Sequence, residues 1–308
     1  MDNEKQYLGI DIGGTFIKIG AVSASGEVSM RKEVPIDRSG KETVMETLMR
    51  GIDEFLTDNG LNSSSFGGIG VSSAGCIDTV NGCIAENGGN VPDWSFTKVT
   101  GPLSERYGLP ASIANDGNCV ALAEAWTGAA KGKRNVVCVV IGTGIGGGII
   151  SHGRLIEGTH GFGGEIGHFP THADLLMSGG DKWSSHYETF ASTAALVRRA
   201  AAAGKDWEDG RQIFNAAAAG DNDALEILDG WTDEIAAGIT GLVHIFDPEV
   251  VLIGGGVSAQ EELLVKPVRD KVHGTVTPDM AGVEIKAAAL GNSAGMAGAV
   301  KYLLDRNA

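Results

Sequence analysis

Hydrophobic positions along the chain follow two rhythms, short apolar runs typical of strands and spaced apolar residues typical of helices. The helical spacing predicts helices over 41–58 and from 115 to about 128. The chain beyond Tyr187 is mostly helical in pattern, and a last helix is predicted over 293–305. The apolar runs that predict strands are residues 7–12, 16–22, 28–34, 68–72, 111–114, 136–141, 148–151, 249–253 and 283–289. Strands that alternate with helices predict an α/β fold.

One pattern occurs twice, which indicates an internal duplication. Residues 8–28 read as strand, Gly-Gly-Thr corner, strand and Ser-Gly turn, and residues 136–156 repeat this order with a Gly-Thr-Gly corner and a His-Gly turn. We therefore predict two duplicated α/β domains that face one another across a cleft. The first domain covers 1–115, the second covers 116–292, and the closing helix over 293–308 is expected to pack on the first.

Composition and charge narrow the class of protein. The 308 residues include 47 glycines, an excess that predicts many sharp turns or close backbone approaches. A formal net charge of −15 disfavours non-specific binding to nucleic acid or to an anionic membrane. The four cysteines form no CxxC pair, and the polar N-terminus predicts no signal peptide. We therefore expect a cytoplasmic protein with reduced thiols and no nucleic-acid or membrane partner.

The first glycine corner is the sequence Asp11-Ile12-Gly13-Gly14-Thr15. At the end of a strand, paired glycines offer backbone N–H groups to a phosphate, and the acidic side chain offers a carboxylate to its Mg²⁺. An ordinary hairpin turn with a solvated Asp11 explains the same residues equally well. The motif alone leaves both interpretations open.

The second corner, Gly142-Thr143-Gly144, lies in a run that formally contains a GxGxxG dinucleotide motif ending at Gly147. That motif requires a helix directly afterwards, whereas the apolar residues from Ile149 on predict a strand. We therefore expect a second phosphate-binding hairpin here, in which the hydroxyl of Thr143 adds a hydrogen-bond donor.

The third corner, Gly254-Gly255-Gly256, ends a predicted strand, and Ser258 is expected to begin a helix. Bare glycines let a flat ligand lie against the backbone, so a nucleotide base or ribose is the natural occupant. No GxxxxGK[ST] sequence occurs in the chain, which excludes a P-loop ATPase.

Asp116 lies where a predicted strand becomes a helix. The commonest role of Asp at such a place is the helix N-cap. The alternative role is a general base, because the helix dipole favours the ionised carboxylate, which could accept the proton of a substrate hydroxyl. Taken alone, the motif favours the cap.

A glycine-rich loop in the second domain carries Glu165 and His168, three residues apart. Glu is rarely buried without a partner, so this loop suits the hydroxyl groups of a sugar better than a protein core. The other histidines of this region match no metal-ligand spacing and are expected to be surface or structural residues, namely His160, His172 and His186.

Together, six segments resemble the ROK family of bacterial sugar kinases, in the actin/hexokinase-like superfamily. They are DIGGT at 11–15, SSAGCID at 72–78, NDGN at 115–118, GTGIGGG at 142–148, GGEIGH at 163–168 and IGGGVS at 253–258, in the family's order. The resemblance runs from Asp11 to at least Ser258. It implies two duplicated actin-like (ribonuclease H-like) domains that flank a cleft.

The resemblance also implies which residues contact the sugar. Asp116 corresponds to the catalytic base, Glu165 and His168 to a pair that hydrogen-bonds the sugar, and Glu188 to a further sugar-binding acid. Gly75 corresponds to a backbone contact. The implied sugar-binding set is Gly75, Asn115, Asp116, Glu165, His168 and Glu188.

The same resemblance implies ATP and Mg²⁺ as cofactors. The phosphates are expected at the first two corners, with Mg²⁺ near Asp11, and the adenosine at the third. The implied ATP-binding residues are Asp11, Gly13, Gly14, Thr15, Gly142, Thr143, Gly144, Gly254, Gly255 and Gly256.

Residues 169–187 depart from the family pattern, because they contain none of the cysteines that normally bind a structural zinc there. The chain thus resembles the zinc-free branch of the family, and we expect no structural zinc. What orders the loop that carries His168 is then left open by the sequence.

The activity that the resemblance implies is ATP-dependent phosphorylation of a hexose hydroxyl, with glucose and its 6-OH as the defaults. The alternatives are a kinase for a β-glucoside, fructose or N-acetylmannosamine and, from a different class, a non-sugar actin-like ATPase. Loops 79–96 and 169–187 are expected to choose the sugar, and the family suggests a homodimer.

Overall fold

The computed structural model describes residues 5–89, 91–178, 181 and 183–307. They divide into two compact units. Unit 1 comprises the chain up to Lys131, Leu155–Gly163 and the chain from Asn292 on, and unit 2 comprises Gly132–Arg154 and Gly164–Gly291. Residues 1–4 and 308 of the predicted domains, and positions 90, 179, 180 and 182 of the two loops expected to choose the sugar, lie outside the described residues.

Unit 1 is built on a sheet whose strands all lie in its first part, before Lys131. Its strands are β1 (Gln6–Ile12), β2 (Phe16–Ser23), β3 (Val28–Pro35), β4 (Phe66–Ser73), β5 (Cys76–Asp78), β6 (Cys83–Glu86) and β7 (Ala111–Asn115). Five of them form one sheet in the order β3-β2-β1-β4-β7, and β5 and β6 form a separate hairpin that the apolar pattern did not predict. β1 pairs antiparallel with β2 and parallel with β4, so a hairpin leads into a parallel half.

The helices of unit 1 are α1 (Val44–Asp58), α2 (Thr100–Tyr107), α3 (Asp116–Trp126) and the closing helix (Ala294–Arg306). α1 begins at Val44 and not at the predicted Lys41, because Thr43 caps it. The Thr43 hydroxyl accepts the N–H of Glu46 and the Glu46 carboxylate accepts the N–H of Thr43, which together form a capping box.

Small residues let the closing helix approach the rest of unit 1 very closely. A Cβ atom on Gly298 would lie 1.8 Å from the carbonyl oxygen of Cys119 on α3, and one on Gly70 would lie 2.3 Å from the carbonyl oxygen of Ala299. α3 is therefore packed into unit 1 together with the closing helix. The structure consequently draws the boundary after Lys131, whereas the sequence analysis placed it after residue 115.

Unit 2 repeats this sheet order. Its strands are β8 (Val136–Ile141), β9 (Ile145–Ser151), β10 (Arg154–Leu155), β11 (Val250–Gly254) and β12 (Glu284–Ala287), in the order β10-β9-β8-β11-β12. β8 pairs antiparallel with β9 and parallel with β11. β9 begins three residues before the predicted strand, because Gly146–Gly148 pair with β8 as regular ladder partners.

The helices of unit 2 are α4 (Ala173–Met177), α5 (Tyr187–Ala191), α6 (Thr193–Ala202), α7 (Gly210–Ala218), α8 (Asn222–Phe246) and α9 (Lys266–Thr275). The helix expected to begin at Ser258 is wrong as predicted, because the N–H of Ser258 closes a turn onto the carbonyl of Gly255. A π-helical turn over Glu261–Val265 leads into α9. Within the described ranges, none of the helices combines the length and apolar character needed to cross a bilayer.

Candidate active site

Asp11 lies at the end of β1 beside two polar partners. The Lys18 ammonium lies 3.3 Å from Asp11 Oδ2, and the Ser72 hydroxyl donates to Asp11 Oδ1 at 2.9 Å. The closing helix also begins close to this carboxylate. A Cβ atom on Gly295 would lie 2.5 Å from it, so only glycine leaves room there. The Asp11 carboxylate is therefore oriented by its surroundings and is not a freely solvated turn residue.

The carbonyl groups of the first corner are held by donors of the protein. The N–H of Ile36 donates to the carbonyl of Thr15 at 2.9 Å, and the Arg38 guanidinium donates to the carbonyl of Gly14. Carbonyl oxygens repel a phosphate, so their engagement by other donors favours an anion at the corner. Lys18 and Arg38 place two cationic side chains in or against this hairpin.

Asn115 caps α3 and takes over the role that the sequence analysis favoured for Asp116. Its backbone is extended (ψ 145°), and its Oδ1 accepts the N–H groups of Gly117 at 2.8 Å and Asn118 at 3.3 Å. Asp116 is the first helical residue, and its Oδ1 accepts the N–H of Gly117 at 2.9 Å. Its carboxylate thus lies at the positive end of the helix dipole without being the cap.

The amide of Asn115 also joins two predicted sugar-site residues. Asn115 Nδ2 donates to the carbonyl of Gly75 at 3.1 Å. Gly75 has a φ of +105°, and a Cβ atom there would lie 2.5 Å from the carbonyl of Glu86, so no other residue fits this turn without strain. Unit 1 therefore brings Gly75, Asn115 and Asp116 together.

Unit 2 brings together Glu165, His168 and Glu188. His168 Nδ1 lies 3.2 Å from Glu165 Oε2, and His168 Nε2 lies 3.7 Å from Glu188 Oε1. The hydrogen bond to Glu165 raises the pKa of His168, partial burial works against this, and the charges of Glu165 and Glu188 raise the pKa further. The three side chains form a polar cluster able to donate to and accept from several hydroxyl groups.

Glu188 also reaches the second corner. Its Oε2 accepts the N–H of Ile145 at 3.1 Å, and a Cβ atom on Gly144 would lie 2.4 Å from the same oxygen. At the other end of the corner, the N–H and hydroxyl of Thr193 both donate to the carbonyl of Gly142, at 2.9 and 2.7 Å. Thr193, at the start of α6, thus fixes the corner, and its position gave no sign of this in the sequence.

A cavity of about 270 Å³ opens at the third corner, entirely within unit 2. It approaches the lower size of small-molecule sites, roughly 300 Å³. The end of β11 and the first turn of α7 form its walls. The lining residues are Thr193, Asp209, Gly210, Arg211, Phe214, Gly256, Val257 and Gln260. Gly256 is the member of this set that belongs to the predicted third corner.

The donor set at Asp11 fits Mg²⁺ of the kind that remains largely bound by water and phosphate. Such a Mg²⁺ needs one or two protein carboxylates, and Asp11 supplies one. Among the residues that the structure describes, no three His, Cys, Asp or Glu side chains are grouped as ligands of a metal ion. A site at Asp11 would therefore rely on water and the phosphates for its remaining oxygen ligands.

Comparison with known proteins identifies the family to which the chain belongs. The family model described as "ROK family" matches residues 7–306. A glucokinase of Thermotoga maritima is 34% identical over 319 residues, covering 98% of each chain, and a beta-glucoside kinase of Listeria monocytogenes is 30% identical over 96% of each chain. The crystal structure of a ROK family glucokinase from Streptomyces griseus, in complex with glucose and AMPPNP, superposes with a TM-score of 0.78 at 30% identity, covering 96% of this chain and 98% of that one.

Proposed function

The chain belongs to the ROK family, whose two-domain actin-like fold it shares, and from that premise we propose that it transfers the terminal phosphoryl group of ATP to a hydroxyl group of a hexose. Glucose is the first candidate, because glucokinases stand among the relatives similar over nearly the whole chain. The beta-glucoside kinases of similar identity keep a β-glucoside as the second candidate.

The observation that carries the proposal is that Asn115, and not Asp116, is the N-cap of α3. Asn115 caps α3, so the carboxylate of Asp116 lies at the N-terminus of the helix and does not serve as its cap. In the proposed reaction this carboxylate accepts the proton of a sugar hydroxyl. The oxygen of that hydroxyl bonds to the terminal phosphorus of ATP, and the bond from this phosphorus to ADP breaks, so ADP leaves. Asn115, tied to Gly75, orients the same end of the helix.

ATP supplies the phosphoryl group, and Mg²⁺ neutralises phosphate charge when bound. We assign the phosphates to the first two corners, where Lys18 and the Thr143 hydroxyl offer donors. The N–H groups of Gly13 and Gly142 already donate to the carbonyls of Phe16 and Gly144. The cavity at Gly256 suits the adenosine, with Arg211 and Gln260 able to donate to a base or ribose. Asp11 is the carboxylate proposed to hold Mg²⁺, through water.

Glu165, His168 and Glu188 are proposed to bind the sugar. Their arrangement supplies acceptors at the two carboxylates and a donor at the imidazole, which matches the mixed donors and acceptors of adjacent sugar hydroxyls. Because these contacts exist before the reaction begins, their loss is expected to raise the KM for the sugar more than it lowers kcat.

The test is a coupled assay that measures ADP formation with ATP and a panel of hexoses, N-acetylhexosamines and β-glucosides. Asp116→Asn should lower kcat by about 10²–10⁴-fold, because general-base catalysis typically contributes that much. Asp58→Asn, which removes an exposed carboxylate of the same unit, is the matched control and should leave kcat unchanged. An Asp116→Asn enzyme with the wild-type kcat overturns the assignment, and sugar-independent ATP hydrolysis by the wild type would favour a non-sugar ATPase.

A further inference from the structure

Two stretches of unit 2 that carry the proposed sugar-binding side chains are joined backbone to backbone. The first carries Glu165 and His168 and the second, residues 183–191, carries Glu188. The N–H of Thr171 donates to the carbonyl of Ser185, and the N–H of Tyr187 donates to the carbonyl of Phe169, at 2.9 and 3.0 Å. These bonds order the loop that carries His168 without any cysteine.

Three aromatic rings of the same two stretches form a cluster. The ring centroids of His168 and Trp183 lie 5.6 Å apart, those of His168 and His186 lie 5.5 Å apart, and those of Trp183 and His186 lie 4.9 Å apart. The planes of each pair are tilted by 57° to 81°, in the edge-to-face range that aromatic pairs prefer. Each ring therefore contacts the other two.

The backbone of Trp183 is itself fixed. Its N–H donates to Asp181 Oδ1 at 3.2 Å, and its carbonyl accepts the N–H of His186 at 3.1 Å and the hydroxyl of Thr189 at 2.9 Å. Thr189 lies on α5, next to Glu188. The tryptophan is thus anchored to the same short helix that presents one of the sugar-binding acids.

The imidazole of His168 is not fixed by burial, because 41% of its side chain is exposed. Nδ1 lies within hydrogen-bond distance of Glu165, but Nε2 lies 3.7 Å from Glu188, which is too far for a hydrogen bond. A single hydrogen bond restrains rotation of the ring about its Cβ–Cγ bond only weakly. Rings packed against it restrict that rotation. We propose that Trp183 and His186 are positioning residues, which hold the imidazole of His168 in contact with Glu165; the consequence for sugar binding rests on the proposed function.

The proposal predicts a change in His168 that does not depend on any substrate. His168 titrates above its ordinary pKa chiefly because of its hydrogen bond to Glu165, while burial opposes the shift. If Trp183 positions the ring, Trp183→Ala should release it from Glu165 and lower the pKa of His168. If Trp183 were only a cover, its removal would expose the ring and raise that pKa.

The experiment is an NMR titration of the histidine ring protons, with His168 assigned from a His168→Gln spectrum. A lowered pKa in Trp183→Ala, restored in Trp183→Phe, supports positioning. An unchanged or raised pKa in Trp183→Ala overturns it. Met177→Ala is the matched control, because Met177 is a large apolar side chain of the same loop that is 82% exposed, and it should leave the His168 pKa unchanged.

Steady-state kinetics form the second arm. Trp183→Ala should raise the KM for the sugar by about 2- to 12-fold, the loss expected for an aromatic pair, with kcat and the KM for ATP unchanged. Trp183→Phe should restore it, and His186→Phe should stay close to the wild type. Equal rises in both KM values would indicate general disruption and overturn the proposal. If the wild type phosphorylates no sugar, the proposed function fails, whereas the NMR arm still decides whether Trp183 positions His168.

Discussion

The two units repeat one sheet order, but their equivalent hairpins carry different chemistry. In both, a hairpin of antiparallel strands meets a parallel strand on the far side of its first strand, β4 in unit 1 and β11 in unit 2. In unit 1 the hairpin carries the pair Asp11 and Lys18, which face each other in the strand register. In unit 2 the position two residues before the first glycine of the corner is the apolar Val140.

This difference between the two hairpins shows that two copies of one fold can contribute different groups to a binding site. The corner of unit 1 offers a carboxylate and cationic side chains, whereas the corner of unit 2 offers backbone groups fixed by Thr193 and Glu188. Under the proposed function, the carboxylate that holds the metal belongs to the first hairpin, and the second hairpin has no charged residue at the matching position. The two units thus share the sheet order, whereas only the first hairpin carries a charged residue at this position.

The largest expected effect concerns the glycines of these corners. Gly255 of unit 2 has a φ of +93°, and a Cβ atom there would lie 2.1 Å from the carbonyl oxygen of Ile141. Gly255→Ala should therefore lower the free energy of unfolding by about 2–4 kcal/mol, from left-handed strain and a backbone clash. Chemical denaturation followed by circular dichroism measures it.

Gly13 of unit 1 provides the contrast. A Cβ atom on Gly13 would lie 3.6 Å from its nearest neighbour, the carbonyl oxygen of Phe16, which is ordinary contact. Gly13→Ala should change the free energy of unfolding by less than about 1 kcal/mol. Equal losses of stability in the two variants would show that the corners do not differ in this way.

The next effect concerns charge. Asp11→Asn should lower kcat/KM for ATP by about 10–100-fold, the range typical when an outer-sphere metal partner is lost. By the conversion of about 1.4 kcal/mol for each factor of ten, this is about 1.4–2.8 kcal/mol. Initial rates at varied ATP and Mg²⁺ measure the loss, and added Mg²⁺ should recover part of it.

Val140→Thr adds a hydroxyl at the matching position of the second hairpin and serves as the comparison. Because that position carries no charge, kcat/KM for ATP should change by less than about threefold, within the usual range of partly exposed substitutions. A larger loss of kcat/KM for Val140→Thr than for Asp11→Asn would contradict the assignment of the metal-binding role to the first hairpin.

The smallest effect is a pH dependence that belongs to unit 2. The pKa of His168 is raised above its ordinary value of 6.5 by Glu165, so their interaction stabilises the fold fully below pH 6.5 and is lost as the pH rises through the raised pKa. Since both side chains are partly exposed, the contribution should stay below about 1 kcal/mol.

Glu165→Gln tests it. Denaturation midpoints measured below and above this pH window should fall less with rising pH in Glu165→Gln than in the wild type. Glu226→Gln, which changes an exposed acid on α8, should keep the wild-type dependence. If Glu165→Gln also keeps it, the Glu165 contact does not raise the pKa of His168.

Local sequence patterns predicted much of the first hairpin, but they did not predict the side chains that contact the second and third corners from other elements. The register of a hairpin pairs Asp11 with Lys18, so the cross-strand spacing could have revealed this lysine. No such signal existed for Thr193, which lies 51 positions beyond the carbonyl it holds, or for Arg211 in the cavity at Gly256. Side chains that meet only through the packing of separate elements leave no spacing in the sequence.

By itself, the sequence determined the α/β class, the duplication, the three glycine corners and, through six ordered segments, the family. These features depend on local periodicity and on glycines whose backbone requirements appear in the residue itself. Only the tertiary structure decided that Asn115 and not Asp116 caps α3, that α3 belongs to unit 1, and that Trp183 and His186 surround His168. Two adjacent residues of nearly equal capping preference cannot be ranked by propensity, and a ring cluster forms only when separate stretches of the chain pack against each other.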